Sequence, residues 1–269
     1  MRHLNIYVRT NEFNLYPIND VQIGGMGVDE VRFKNYIKRL AEDPIGRGLG
    51  LGDYTDGLSP SNRAAIKFAT VAGNWYDVGE DMLYDAAQAQ VKKFLKLAAP
   101  AKDKVDAVLK GHHFYQYQVP NDNGSTTIRT TDLDIADYFN APFLDDPSDK
   151  KQVAMITYHM PKGKLLRVLC MHGEGSGATL ASPLGKLAKL TTEYPADIYM
   201  TAHHHKIFAT KVPINGKDAL MVACGSWMRG YVEDEATYAE AGLMGPLSIG
   251  APVIHVKSTS KGFELEGRI

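Results

Sequence analysis

The chain has 269 residues, 44% of them hydrophobic and 23% charged, which is enough apolar material for a core and excludes intrinsic disorder. Lys and Arg number 30 against 31 Asp and Glu, a formal charge of −1, so no global basic field marks a nucleic-acid binder and no acidic excess marks a solvating tail. No run reaches the ~18 consecutive apolar residues of a membrane helix, and the polar start Met1-Arg2-His3-Leu4-Asn5 lacks a secretory pattern, so a cytoplasmic protein without membrane contact is expected.

In chain order, Asp29 can cap a helix carrying Val31, Ile37 and Leu40 to a stop at Asp43-Pro44. Gly50-Leu51-Gly52-Asp53 then reads as the end of a buried strand. A second helix runs from about Glu80 to Ala98, with Leu83, Ala87, Val91, Phe94 and Ala98 on one stripe, and Pro100 ends it. Further short apolar runs, at Val105 to Leu109, Val153 to Thr157, Leu165 to Cys170 and Asp197 to Met200, read as strands, with a third helix from about Pro183 to Tyr194. Past Ala202 the texture turns to hairpins: Ile207 to Val212 and Ala219 to Val222 around an Asn215-Gly216 turn, then Val253 to Val256 and Gly262 to Glu266. Between them, residues 229–252 form a long Gly-rich loop of the kind kept for function. Cys170 and Cys224 each fall in an apolar run and read as buried thiols rather than a disulfide framework. The pattern is α/β, with sheet between helices, and predicts one domain over residues 1–269.

Metal-capable side chains concentrate in five segments: Asn19-Asp20-Val21-Gln22, Gly52-Asp53-Tyr54-Thr55-Asp56, Gly111-His112-His113, His172-Gly173-Glu174 and Ala202-His203-His204-His205. Four of them follow a predicted strand, where α/β folds place ligands, and the last three hold six of the nine histidines. In extended backbone, residues two apart share a side, so His203 and His205 can converge while His204 faces away. Imidazole combined with carboxylate suits Mn, Fe, Zn or Ni. Asp53 can bridge two cations, since each carboxylate oxygen offers lone pairs; the plainer alternative is an Asx-turn at a strand end.

The order of these segments resembles the calcineurin-like metallophosphoesterase superfamily, whose pattern is Asp-x-His, Gly-Asp, Gly-Asn-His, His and Gly-His-x-His; the likeness runs over about residues 15–258. Gly225-Ser226-Trp227-Met228-Arg229-Gly230, Tyr238-Ala239-Glu240 and Gly250-Ala251-Pro252-Val253 resemble phage and bacterial members related to DNA-repair exonucleases. The resemblance implies a layered αββα sandwich with mixed sheets. It also implies a centre of two divalent ions, manganese first, with Fe, Zn, Ni or Mg as alternatives. Asp20, Gln22, Asp53 and His205 would surround one ion and Asp53, His112, His172 and His203 the other, with Asp53 bridging. His113 matches the family's active-site histidine near the leaving-group oxygen. The implied activity is hydrolysis of phosphodiester bonds in nucleic acid, DNA or RNA, or in nucleotides, by a bridging hydroxide with Asp53 and His113 central to catalysis.

The chain departs from the pattern in places that bear on this. Gln22 stands where the family has histidine, a weaker donor; His112 replaces asparagine and strengthens the second ion's set; Phe114 stands where an acid often lies, so His113 must be oriented from elsewhere. Because His112 and His113 are adjacent, their roles are exchangeable at this level. Asp56 reads either as an orienting acid or as a solvated turn residue. His3, His159 and His255 read as structural, Lys92, Lys93 and Lys96 as a solvated helix face, and Phe114, Tyr115 and Tyr117 as core aromatics, with Trp227 and Arg229 open to a base or phosphate role. The competing functions are a phosphomonoesterase on a nucleotide or phosphoprotein and a degenerate, non-catalytic binding scaffold; no protein partner is indicated.

Overall fold

The computed structural model describes residues 1–57, 76–146, 153–175, 179–214, 216–232 and 247–269. One six-stranded sheet has the order β1 (Arg2–Tyr7), β8 (Val153–Met160), β9 (Lys164–Met171), β10 (Ile198–Thr201), β12 (Lys217–Ala223), β11 (Phe208–Ile214). A second six-stranded sheet has the order β14 (Gly262–Arg268), β13 (Val253–Thr259), β2 (Glu12–Asn19), β3 (Gly46–Gly52), β4 (Val105–Leu109), β7 (Phe143–Leu144). Both sheets are mixed: β9, β10 and β12 run parallel, as do β2, β3, β4 and β7, while the hairpins β8–β9, β11–β12 and β13–β14 pair antiparallel.

Strand alternation builds the layers. Leu166, Val168 and Cys170 of β9 and Ile198 and Met200 of β10 face Leu15, Leu49, Leu51 and Leu109 across the inter-sheet core. The opposite faces of the same strands, Leu169, Met171 and Tyr199, pack on Leu187 and Leu190 of a helix, α4 (Ala181–Glu193). On the outer side of the second sheet, Tyr16, Ile18 and Val108 meet α1 (Glu30–Glu42), α2 (Tyr76–Ala98) and α3 (Thr131–Phe139) through Phe33, Phe94 and Ile135. The result is a layered αββα sandwich. Cys170 and Cys224 are buried free thiols. No helix among the described residues is long and apolar enough to cross a membrane.

α1 starts at Asp29, whose carboxylate accepts from the Arg32 N–H at 3.0 Å. Its buried stripe is Phe33, Tyr36, Ile37 and Leu40, and the expected Val31 instead lies 69% exposed, because the i, i+3, i+4, i+7 spacing that faces the sheet starts at Phe33. Asp29 also receives Arg229 Nε at 3.2 Å; burial pushes its carboxyl up, but these donors hold it below the usual range. Asp29→Ala is therefore expected to cost about 1–2 kcal/mol, read as a lower urea midpoint with an unchanged m-value. In α2 the predicted stripe is buried throughout.

Several elements have no counterpart in the sequence reading: β1, β2, β7, α3 and the hairpin β5 (Gln116–Pro120) with β6 (Thr126–Thr130). β2 is masked by Pro17, which falls beyond Leu15, the last residue paired with β13, so its missing N–H costs no bond on that side. α3 carried a readable signal in the Thr130 cap, which accepts from Leu133 N at 3.2 Å, and in the left-handed Asn140 that ends it. Asn215 and Tyr238-Ala239-Glu240 lie outside the described residues.

Candidate metal centre

All five segments emerge from the C-terminal ends of strands: Asp20 after β2, Asp53 after β3, His112 after β4, His172 after β9 and His203 after β10. Beyond the strands, 20–23 and 52–56 continue side by side, with Asp20 N donating to Gly52 O at 3.1 Å and Gln22 N to Asp53 O at 3.0 Å. Asp20, Gln22, Asp53, His203 and His205 all have left-handed backbone, φ 43°, 49°, 56°, 69° and 52°. Such conformations cost of order 1–3 kcal/mol each and persist where surrounding structure over-determines them. They turn the side chains inward at the sandwich's end. The segment 203–205 is thus not extended, so the expected separation of His204 from His203 and His205 comes from left-handed turns and not from strand alternation. His204 is buried elsewhere, with Nδ1 on Ala202 O at 3.0 Å and Nε2 on Lys186 Nζ at 3.0 Å.

Two ligand-capable groups result among the described residues. His112, His172 and His203 offer donor atoms within 4.8 Å of one another, and so do Asp20, Asp53 and His172. The imidazoles of His172 and His203 stand 4.6 Å and 4.8 Å from that of His112. His205 Nε2 lies 3.3 Å from Asp20 Oδ1. Gln22 is buried with no hydrogen-bond partner for its Oε1.

Asp53 is the hub. Its Oδ1 accepts from the backbone N–H groups of His112 at 2.6 Å and His113 at 2.9 Å. Its Oδ2 lies 3.1 Å from His172 Nε2. Burial pushes this carboxyl up, but the charges of His172 and His113 and the N–H bonds carry it well below the ordinary value. Asp20 is also lowered: burial opposes, His205 and His172 prevail. His172 is raised to about 9, with burial opposing and Asp53 dominating, whereas burial and the His172 charge lower His203 to about 3.

The donor chemistry fits a cation. His172 Nδ1 sits 2.7 Å from Leu51 O, so that nitrogen carries the proton and Nε2 presents a lone pair to Asp53 Oδ2. Two acceptors facing each other in a buried site require a shared positive charge, a second proton or a metal ion. Asp20 Oδ1, Gln22 Oε1, His172 Nε2 and His205 Nδ1 are all buried without a hydrogen-bond partner, and a native fold rarely leaves so many polar atoms unsatisfied together.

His113 takes a different position from His112. Its Nδ1 lies 3.1 Å from Asp56 O and 3.6 Å from Asp56 Oδ1. Burial works against protonation, but Asp56 and Asp53 raise His113 to about 9. Asp56 thus packs on His113 with its side chain 16% exposed and is not a solvated turn acid.

Sequence reasoning missed two supports. Asn19 Nδ2 donates to Asp20 Oδ2 at 2.7 Å and to Gly225 O at 2.6 Å, joining the first segment to the late loop. Asp132, buried in the first turn of α3, accepts from Gly111 N at 2.8 Å. Burial and the Asp53 charge push Asp132 up to about 7 against that N–H. The signal was an acid two residues past the Thr130 cap, legible only once the helix is recognised.

Gly111 has to be glycine: a Cβ there would lie 2.2 Å from Asp53 N and 2.3 Å from Asp53 Oδ1. Gly111→Ala is expected to push the histidine segment off Asp53 and weaken metal binding by about 10–100-fold, the range for lost supporting contacts. Calorimetric titration with Mn²⁺ against wild type measures it.

Other candidates are structural. Trp227 is buried against Phe33 and Tyr36, with ring centroids at 5.3 Å and 4.9 Å, so the base-stacking option is overturned by core packing. Arg229 pairs with Asp29, and Lys93 with Glu30 at 2.5 Å. Tyr115 is buried with Leu83 and Ala87. His159 meets Asn5 Oδ1 at 2.9 Å and His255 meets Asn14 Oδ1 at 2.8 Å.

Fold and site together describe an αββα sandwich with a cation-ready cluster at its strand ends. No protein-family model and no curated protein matches the chain. Among solved structures it is similar to a single mutant of Vps29 from Entamoeba histolytica, with 15% identity and a TM-score of 0.39 over 95% of this chain and 98% of that one. It is also similar to a predicted phosphoesterase from Streptococcus pneumoniae, with 11% identity and a TM-score of 0.34 over 96% and 98%. An archaeal phosphodiesterase shows 9% identity and a TM-score of 0.37 over 95% and 99%.

Proposed function

We propose that this chain is a metal-dependent phosphoesterase that cleaves phosphodiester bonds in nucleic acid or nucleotides. Asp20, Gln22, Asp53 and His205 hold one divalent cation, and Asp53, His112, His172 and His203 hold the second. The single observation carrying this reading is the pair of ligand groups that share His172, with Asp20 Oδ1 and His172 Nε2 buried there without a hydrogen-bond partner. Oxygen and imidazole donors in this mixture suit manganese, with Fe, Zn, Ni and Mg as competitors. Bound there, two divalent cations would supply an activated water and neutralise charge on the phosphoryl oxygens.

The chain's own residues do the rest. Asp53 holds the His112-His113 backbone in place through its Oδ1. His112 faces His172 and His203, which supports a ligand role, and His113 is held by Asp56, which supports proton donation to the leaving-group oxygen. This separation favours the assignment of His113, not His112, as the acid.

Elemental analysis of protein purified without chelators, paired with manganese-dependent turnover of a nitrophenyl phosphodiester and its matching monoester, tests the proposal. Bound metal with faster diester cleavage is expected. Faster monoester cleavage would move the function to a phosphomonoesterase, and protein without metal or turnover would leave a scaffold.

A further inference from the structure

At the end of the sandwich opposite the metal cluster lies a cavity of about 730 Å³ that nothing above uses. It opens where β2 begins and where the β8–β9 and β13–β14 turns meet, whereas the cluster lies beyond the other ends of β2 and β9. Each of those strands has 8 residues, so the two places are about 26 Å apart at ~3.3 Å per residue. A ligand in one does not occupy the other.

Arg9, Lys162, Lys164 and Lys257 line the cavity and, among the described residues, Glu12 is the one carboxylate in its wall, a local charge of +3 on a chain of −1. Among the described residues, no ion pair is formed by Arg9 or Lys162, and Lys257 reaches Glu264 only at 3.8 Å with both side chains more than half exposed. Lys164 Nζ donates to Ser260 O at 3.4 Å, tying the two turns that form the rim. Lys162 is held at φ 61°, a left-handed backbone uncommon for lysine, at the tip of the β8–β9 turn. The hydroxyl of Ser258 adds a neutral donor, while that of Thr10 is already donated to Glu12 O at 2.6 Å. Like charges gathered around a concave wall repel one another unless an anion spans them, and lysine is a point-charge partner for phosphate.

The flank is aromatic. A second cavity of about 310 Å³ shares Arg9 and Thr10 with the first and is lined by Tyr7. Tyr7 is 77% exposed and its ring stacks on His159 at 4.6 Å and 25°, offering an aromatic face beside Arg9.

We propose that this end of the protein is a nucleotide-binding site separate from the metal cluster, with linked phosphates held by Arg9, Lys162, Lys164 and Lys257 and the base on Tyr7. Each of the two spaces lies in the range of pockets that take small ligands. The site's existence does not depend on the phosphoesterase reading, and either can fail alone.

Calorimetric titration of the full chain in EDTA, with inorganic triphosphate and with ATP, tests it. Chelation removes any phosphate binding that runs through metal. The expected result is saturable binding of both, tighter for ATP, weakened about 10-fold or more by the double change Lys162→Ala, Lys257→Ala and unaffected by Asp53→Asn. Tyr7→Ala should weaken ATP and leave triphosphate unchanged. No binding, or binding that survives the double change, would overturn the site, and equal affinity for ATP and triphosphate would overturn the base contact. Circular dichroism and thermal melts confirm that the surface variants fold.

Discussion

Asp53→Ala is expected to remove metal from both positions and turnover with it, by more than ~100-fold in affinity, beyond the cost of losing a supporting contact alone. The reason is that Asp53 acts three ways at once. Its Oδ2 faces His172 Nε2 at 3.1 Å, its Oδ1 fastens the His112 and His113 N–H groups, and its charge sets the protonation of the surrounding imidazoles. Alanine therefore removes a ligand and loosens the segment carrying His112, another ligand, and His113. Asp53→Asn separates these effects, because an amide oxygen can still accept the N–H bonds while the charge is gone. It should stay folded and still fail to bind. Thermal melts give an independent readout: metal that binds only the native state adds about 2.7 kcal/mol at a hundredfold excess over Kd. Wild type should melt higher with Mn²⁺, and neither variant should respond. A metal-dependent rise in the melting temperature of Asp53→Ala would contradict the bridging assignment.

His113→Ala has the opposite signature. The side chain lies against Asp56, outside both ligand groups, so metal content should match wild type. The rate should drop by about 10²–10⁴-fold, the usual worth of a positioned proton donor. Substrates with a good leaving group, such as a nitrophenolate, need less protonation and should lose less. Asp56→Asn should cost less than His113→Ala, since the closer contact to the imidazole, at 3.1 Å, comes from the Asp56 backbone carbonyl and survives the change; the carboxylate sits at 3.6 Å. Rate measurements on both leaving groups, with metal quantified in the same samples, check all three expectations. Loss of metal from His113→Ala would exchange the roles of the two neighbouring histidines.

Much of this architecture could be read from periodicity. The stripe of α2 and the runs at β4, β8, β9 and β10 each bury an apolar face, so their patterns are strong. β1 was hidden because it lies at a sheet edge and keeps polar residues on its open face. β2 was hidden by Pro17, tolerable only because β13 stops short of it. The donor set was visible as residue types in five clusters, since carboxylate and imidazole seldom gather without a reason. How those residues converge was not visible. Alternation in an extended strand accounts for none of it; left-handed backbone at five site residues does, together with the close approach of Gly111 to Asp53. Contacts between distant segments, such as Asn19 on Gly225 O, carry no local signature at all.

The central claim is that these donors grip paired cations. Crystals grown with manganese and measured at its absorption edge test it most directly. The account predicts two anomalous peaks flanking Asp53, one beside Asp20, Gln22 and His205 and one among His112, His172 and His203. Diffraction showing no anomalous density at Asp53, with the His172 and Asp53 side chains sharing only a proton, would contradict it.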